Sequence, residues 1–193
     1  MRIKYNAPTV LTYALICALI VLLSKTLLPG LAENWFTVPG RTRFSPFSLR
    51  HLITILTHAA GHANWAHLVS NFSFILLIGP MLEENYGSVN LLVMIAITAA
   101  VTGLLNALFF PTALMGASGV VFMMILLASF TNFSRGEIPV TFILVLVLFL
   151  GEQFVKSFNS DNISYFAHIA GGFCGSLFGF FFPPKRRGVG SRE

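Results

Sequence analysis

Six apolar runs, each near the twenty residues that a helix needs to cross the hydrocarbon of a bilayer, dominate this sequence. They cover approximately Thr9–Leu28, Trp65–Leu82, Val89–Phe110, Ala117–Phe133, Ile138–Phe154 and Ile163–Phe182. Backbone amides find no water in lipid, so such runs must close their hydrogen bonds internally. The expected fold class is therefore an all-α membrane protein of six transmembrane helices. Pro111, Pro139 and Pro183 mark ends or beginnings of the runs, where a residue without an N–H does least harm. With 55% hydrophobic and only 10% charged residues, the chain departs from soluble domains, which are roughly a quarter charged.

The runs leave no room for a separate soluble domain, so residues 1–193 are expected to form a single transmembrane unit. Arg2 and Lys4 precede the first run, which is long and lacks a small-x-small cleavage site; it reads as a retained signal anchor. The formal net charge of +5 does not point to nucleic acid, because Lys185, Arg186 and Arg187 cluster just beyond the last run. Residues 183–193 thus read as a basic cytoplasmic tail facing anionic membrane lipid. An even number of spans puts both termini on that side. Lys25, Arg41, Arg43, Arg50 and Lys156 then fall outside, most of them in the stretch 29–64, and long loops weigh little in orientation. That loop, with Trp35, Phe36, Phe44 and Phe47, is apolar enough to be expected partly within the outer membrane face. Cys17 and Cys174 lie inside apolar runs and imply no disulfide framework.

On this topology runs two, four and six descend from outside to inside, and each carries its polar residues near its start: His67 and Asn71, Ser118, and His168. At about 1.5 Å of rise per residue, His168 falls on the order of 10 Å below the outer surface. Ionisable and polar groups in lipid are costly, so one found there is a functional candidate. A serine hydroxyl becomes a nucleophile when a base takes its proton, and histidine suits that task near neutral pH. Ser118 stands where its helix should begin, so nearby amides lack intrahelical partners and are free to face an oxyanion. His67 and Asn71, four apart, share a helical face and both carry donors. Gly171, Gly175 and Gly179 recur every fourth residue below His168, and Gly116 and Gly119 flank the serine. Small residues at that spacing let membrane helices meet closely, which predicts contact between runs four and six.

Each feature alone has a plainer reading: serine is a common helix cap, and a His-x-x-x-Asn pair or a glycine repeat usually serves helix packing. The conjunction carries the weight. Gly116-Ala-Ser-Gly119, Ala167-His-Ile-Ala-Gly171 followed by Gly175, and the series His62, His67, Asn71 together resemble the rhomboid family of intramembrane serine proteases. The resemblance spans nearly the whole chain and implies a rhomboid-like bundle with a long membrane-associated loop between helices one and two. It implies Ser118 as nucleophile, His168 as general base, and His67, Asn71, the Ser118 amide and the Gly116 amide as oxyanion donors. It gives Asp161 no catalytic role. Further matches are structural: His58 and His62 before run two, with His62 bonding the loop backbone, and Glu83, Gly87 and Ser88 as a polar network at the inner end of runs two and three. Phe122 stands where the family often has a tyrosine stacked on the catalytic histidine. The family's Trp-Arg pair has no clear counterpart, since Ile53-Thr54 occupies the closest spacing.

The implied function is a serine endopeptidase that cuts single-pass transmembrane proteins, placed in a bacterial plasma membrane, with no metal and no organic cofactor. A metalloprotease would need a His-Glu-x-x-His glutamate, which His58-Ala-Ala-Gly-His62 lacks. A polar-pathway transporter would want an acidic pair or broken-helix repeats. A rhomboid-like protein that only binds membrane clients would have lost the serine or histidine, and both are present.

Overall fold

The computed structural model describes residues 5–130, 138, 140–151, 164–182 and 184. Among these the chain is all-helical: α1 Pro8–Lys25, α2 Leu31–Trp35, α3 Leu49–Thr57, α4 Trp65–Tyr86, α5 Ser88–Phe109, α6 Ser118–Ala128, α7 Val140–Val145 and α8 Ser164–Phe181. A single 3-10 turn follows α3 at His58–Ala60, and α7 runs on as a wider π-helical turn over Leu146–Leu150.

By length and composition α1, α4 and α5 can each cross a membrane, whereas α6 and Tyr165–Phe181 are shorter apolar helices. The eleven residues of α6 span roughly 17 Å, less than the ~30 Å hydrocarbon core. The second expected run proves longer than its apolar stretch, reaching Tyr86, because only Gly87, at φ +88°, breaks the chain before α5 begins. Asn64 starts α4 by accepting the His67 N–H at 2.8 Å, a side-chain cap that fixes where the helix begins. Residues 131–137 and 152–163, with Asp161 and Lys156, and the tail 185–193 lie outside the described residues.

The stretch 29–64 is a folded part of the bundle. Helix α3 crosses α5 at Gly103, whose missing side chain leaves room for the Ile55 carbonyl. Val38 and Leu114 exchange both backbone hydrogen bonds at 2.9 Å, tying this stretch to the segment ahead of α6. Along the loop and α3, Phe47, Leu49, Leu52 and Leu56 are exposed.

Helix α6 sits at the centre, against α4, α5 and α8. Val120, Met123, Met124, Leu126 and Leu127 are fully buried there. Helix α1 closes the bundle on α4, where Gly79 accommodates Val10. The Glu83 carboxylate accepts the Thr9 N–H at 2.8 Å and the Val10 N–H at 3.0 Å, and Thr9 Oγ1 donates to the Ser88 carbonyl at 3.0 Å. The network expected at the ends of α4 and α5 therefore also caps α1, whose first turn has no acidic residue of its own.

Candidate active site

Among the described residues the closest helix approach lies between α6 and α8, and glycine causes it. A Cβ on Gly171 would fall on the Gly119 carbonyl, one on Gly175 on the Met123 carbonyl, and one on Gly179 on the Phe130 ring. Backbones therefore touch through the first two positions, as the fourfold spacing predicts. This seam positions the histidine. His168 lies half-buried one turn before the first contact, with its ring stacked on Phe122 at a centroid distance of 4.3 Å and 7° between planes. Phe122 stands four residues after Ser118 on the same face of α6, so the histidine ring is carried against the face that bears the serine. The stacking expected from Phe122 is present without any hydroxyl, and the Tyr165 ring stands perpendicular to that of His168 at a centroid distance of 6.4 Å.

Ser118 is the first residue of α6, partly exposed, and its helix has no side-chain cap. Gly116, two residues earlier, has φ +126°, a conformation that L side chains rarely adopt. Its bare Cα is also what admits the oxyanion candidates. A Cβ there would stand 2.8 Å from both Cε1 and Nε2 of His67 and 3.8 Å from Asn71 Nδ2. The chain thus brings His67 and Asn71, from the first turns of α4, onto the turn that delivers Ser118. Asn71 is buried and donates from Nδ2 to the His67 carbonyl at 3.1 Å.

One expectation needs correction. The Gly116 N–H donates to the His58 carbonyl at 3.0 Å, so it is not free as an oxyanion donor. A backbone amide that ties down the turn serves position rather than charge. Gly119 likewise belongs to the seam and faces Thr102 and the Ala167 carbonyl, while Gly116 faces α4.

Two buried histidines, His58 and His62, adjoin this arrangement. His58 directs Nδ1 to the Ile55 carbonyl at 3.1 Å, to which it can only donate, leaving Nε2 to face the Thr102 hydroxyl at 3.3 Å. His62 faces the Ala60 carbonyl through Nδ1 at 3.4 Å and sets its ring edge-on to His67 at 5.1 Å. Burial pushes both imidazoles down to about 4, with the neighbouring His67 adding to the effect on His62. A neutral ring is the form that low-dielectric surroundings favour. Tyr13 on α1 donates to the Ala59 carbonyl at 2.6 Å, bracing the same 3-10 turn.

Sequence reasoning missed several supports. Gly40 has no room for a Cβ beside the Pro111 carbonyl, and Gly61 none beside the Phe36 carbonyl. Asn106 donates to the Thr112 carbonyl at 3.0 Å. These hold the segment 110–117 in place, and in sequence each is a lone glycine or amide with no sign of its distant partner. Among the described residues no group of three His, Cys, Asp or Glu side chains is placed to hold a metal ion.

Comparisons with known proteins bear on the family of the chain. Residues 49–185 match the family model described as the Rhomboid domain. The chain is 27% identical over 128 residues to "Rhomboid protease GlpG" of Haemophilus influenzae, covering 65% of this chain and 67% of that protein. It is 24% identical over 162 residues to "Rhomboid-like protein 11, chloroplastic" of Arabidopsis thaliana, covering 75% of this chain and 58% of the relative. It is 29% identical over 141 residues to "RHOMBOID-like protein 7" of the same plant, covering 68% and 43%.

Proposed function

The chain belongs to the rhomboid family, is an integral membrane protein, and from that premise we propose that it is an intramembrane serine endopeptidase. The observation that carries the reading is the glycine seam between α6 and α8, with Phe122 stacked on His168 and Ser118 one turn away on the same face. In this reading six helices span the membrane, both termini are cytoplasmic, the tail 183–193 anchors on anionic lipid, and the membrane is a bacterial plasma membrane.

The chemistry follows from the groups assembled. His168 accepts the Ser118 proton as Oγ attacks a substrate carbonyl carbon. Charge develops on the carbonyl oxygen, where His67, Asn71 and the Ser118 amide at the open end of α6 serve as donors. The C–N bond then breaks, and His168 returns its proton to the leaving amine. Water, entering from outside, attacks the acyl-enzyme with His168 again as base, releasing the second product and restoring the serine. The substrates are single-pass transmembrane proteins. A helix hides its carbonyls in internal hydrogen bonds, so the segment must unwind before attack, which favours cleavage near small residues and helix breakers.

The test is covalent labelling of the full chain in detergent with a fluorophosphonate, together with cleavage of a model transmembrane substrate. Wild type should label and cleave. Ser118→Ala should do neither, and His168→Ala should lose cleavage with the double variant no worse. Turnover by Ser118→Ala would overturn the reading.

A further inference from the structure

The turn Arg41-Thr42-Arg43 has no part in the chemistry above, and its position is unusual for exposed cations. The Arg41 N–H donates to the Phe110 carbonyl at 2.6 Å, while the Arg43 and Phe44 N–H groups both return to the Gly40 carbonyl, at 2.8 and 3.0 Å. Gly40 is locked on the Pro111 carbonyl with no space for a Cβ. This turn is therefore rigidly fixed to the segment that leads to Ser118. Through Phe110, whose ring meets Phe166 at 4.5 Å, it also reaches the residue two before His168. Both arginines are exposed, and among the described residues neither guanidinium has a hydrogen bond or ion pair. Arg50 differs, since it reaches the Asn34 amide oxygen at 3.3 Å.

We propose that Arg41 and Arg43 form a cationic docking rim that selects substrates carrying aspartate or glutamate just outside the transmembrane segment, on the active-site side of the membrane. The proposal rests on the protease reading for its substrate class. The geometry favours a substrate carboxylate over a lipid headgroup. The turn is braced through the Phe110 carbonyl on the segment that leads to Ser118, eight residues further on. Guanidinium forks pair with carboxylates in two parallel hydrogen bonds. Cationic residues collect on the cytoplasmic flanks of transmembrane segments, so the opposite flank is where a substrate is free to carry acid.

The test measures binding of two synthetic single-span peptides, one with Asp-Asp and one with Asn-Asn on the outer flank. The receptor is the full chain bearing Ser118→Ala in nanodiscs of zwitterionic lipid. The Asp-Asp peptide should bind about threefold to tenfold more tightly, as expected for two exposed ion pairs, and the preference should shrink with added salt. Arg41→Gln with Arg43→Gln should abolish the preference while leaving the Asn-Asn peptide unaffected. Arg41→Glu with Arg43→Glu should reverse it toward a Lys-Lys peptide. Equal binding of the first two peptides to the Ser118→Ala protein would overturn the proposal. So would an arginine effect that follows the anionic lipid content of the nanodisc and ignores the peptide. With Ser118 intact, the Arg41→Gln, Arg43→Gln chain should label with fluorophosphonate as wild type does, and loss of labelling would make the arginines structural and sink the rim. Failure of wild type itself to label bears on the protease reading alone, because peptide binding is read without catalysis.

Discussion

Replacing Gly171 by alanine tests whether backbone contact between α6 and α8 sets the active-site geometry. An added Cβ would stand 2.9 Å from the Gly119 Cα as well as overlapping its carbonyl. Carbon atoms pack at about 3.5–4.0 Å, so the helices must separate by about 1 Å. The obstacle is backbone on both sides, so no side chain can turn away to absorb the shift. His168 lies three residues before Gly171 and rides on the displaced helix. A displacement of about 1 Å in reacting groups costs about a hundredfold in rate, and overpacking of this kind costs about 1–3 kcal/mol of stability. Fluorophosphonate labelling of Ser118 and thermal melting should therefore fall together for Gly171→Ala, with Gly171→Val worse. Gly175→Ala should behave similarly, since its Cβ would lie 3.0 Å from the Met123 Cα. Gly119→Ala is the control. Its Cβ would meet the Thr102 methyl at 3.1 Å and the Ala167 carbonyl at 3.3 Å, contacts that a small adjustment relieves, so it should keep far more labelling. Wild-type labelling and melting in both Gly171→Ala and Gly175→Ala would refute the argument.

Gly116→Ala should reduce kcat by more than about a hundredfold with a smaller change in KM, because it strains a φ of +126° and drives a methyl into the His67 ring; a variant altered only in KM would remove His67 from the oxyanion site. Glu83→Gln should lower the melting temperature, by about 1–3 kcal/mol of lost charged hydrogen bonding to the Thr9 and Val10 amides, yet leave labelling per folded molecule intact. Acid should destabilise the fold through His58 and His62. Their folded values of about 4 lie below the ordinary 6.5, so the stability they contribute is complete above about pH 6.5 and is lost as pH falls toward about 4. Melting temperature should decline across that window, with a shallower slope in His58→Gln, and a flat profile from pH 7 to pH 5 would contradict the burial argument.

Sequence alone settled what depends on composition and period. Runs of apolar residues about twenty long admit only helices in lipid, and glycine every fourth residue marks a face regardless of its partner. Ser118, His168, His67 and Asn71 could be picked out as candidates because polar groups stand out against hydrocarbon. The tertiary structure decided how those groups are held, since that rests on backbone atoms, which every residue shares and no residue type announces. The Gly116 N–H goes to the His58 carbonyl rather than to an oxyanion site, and Val38 pairs with Leu114 across a long gap in sequence. Helix lengths also belong to the structure. The fourth run was expected to reach Phe133, yet α6 ends at Ala128 with a turn over Ser129 and Phe130, and a polar Glu83-Glu84 pair did not stop α4 short of Tyr86. Hydropathy reports the solvent a segment prefers, whereas caps, glycine turns and neighbouring helices determine where the hydrogen-bonded backbone starts and ends.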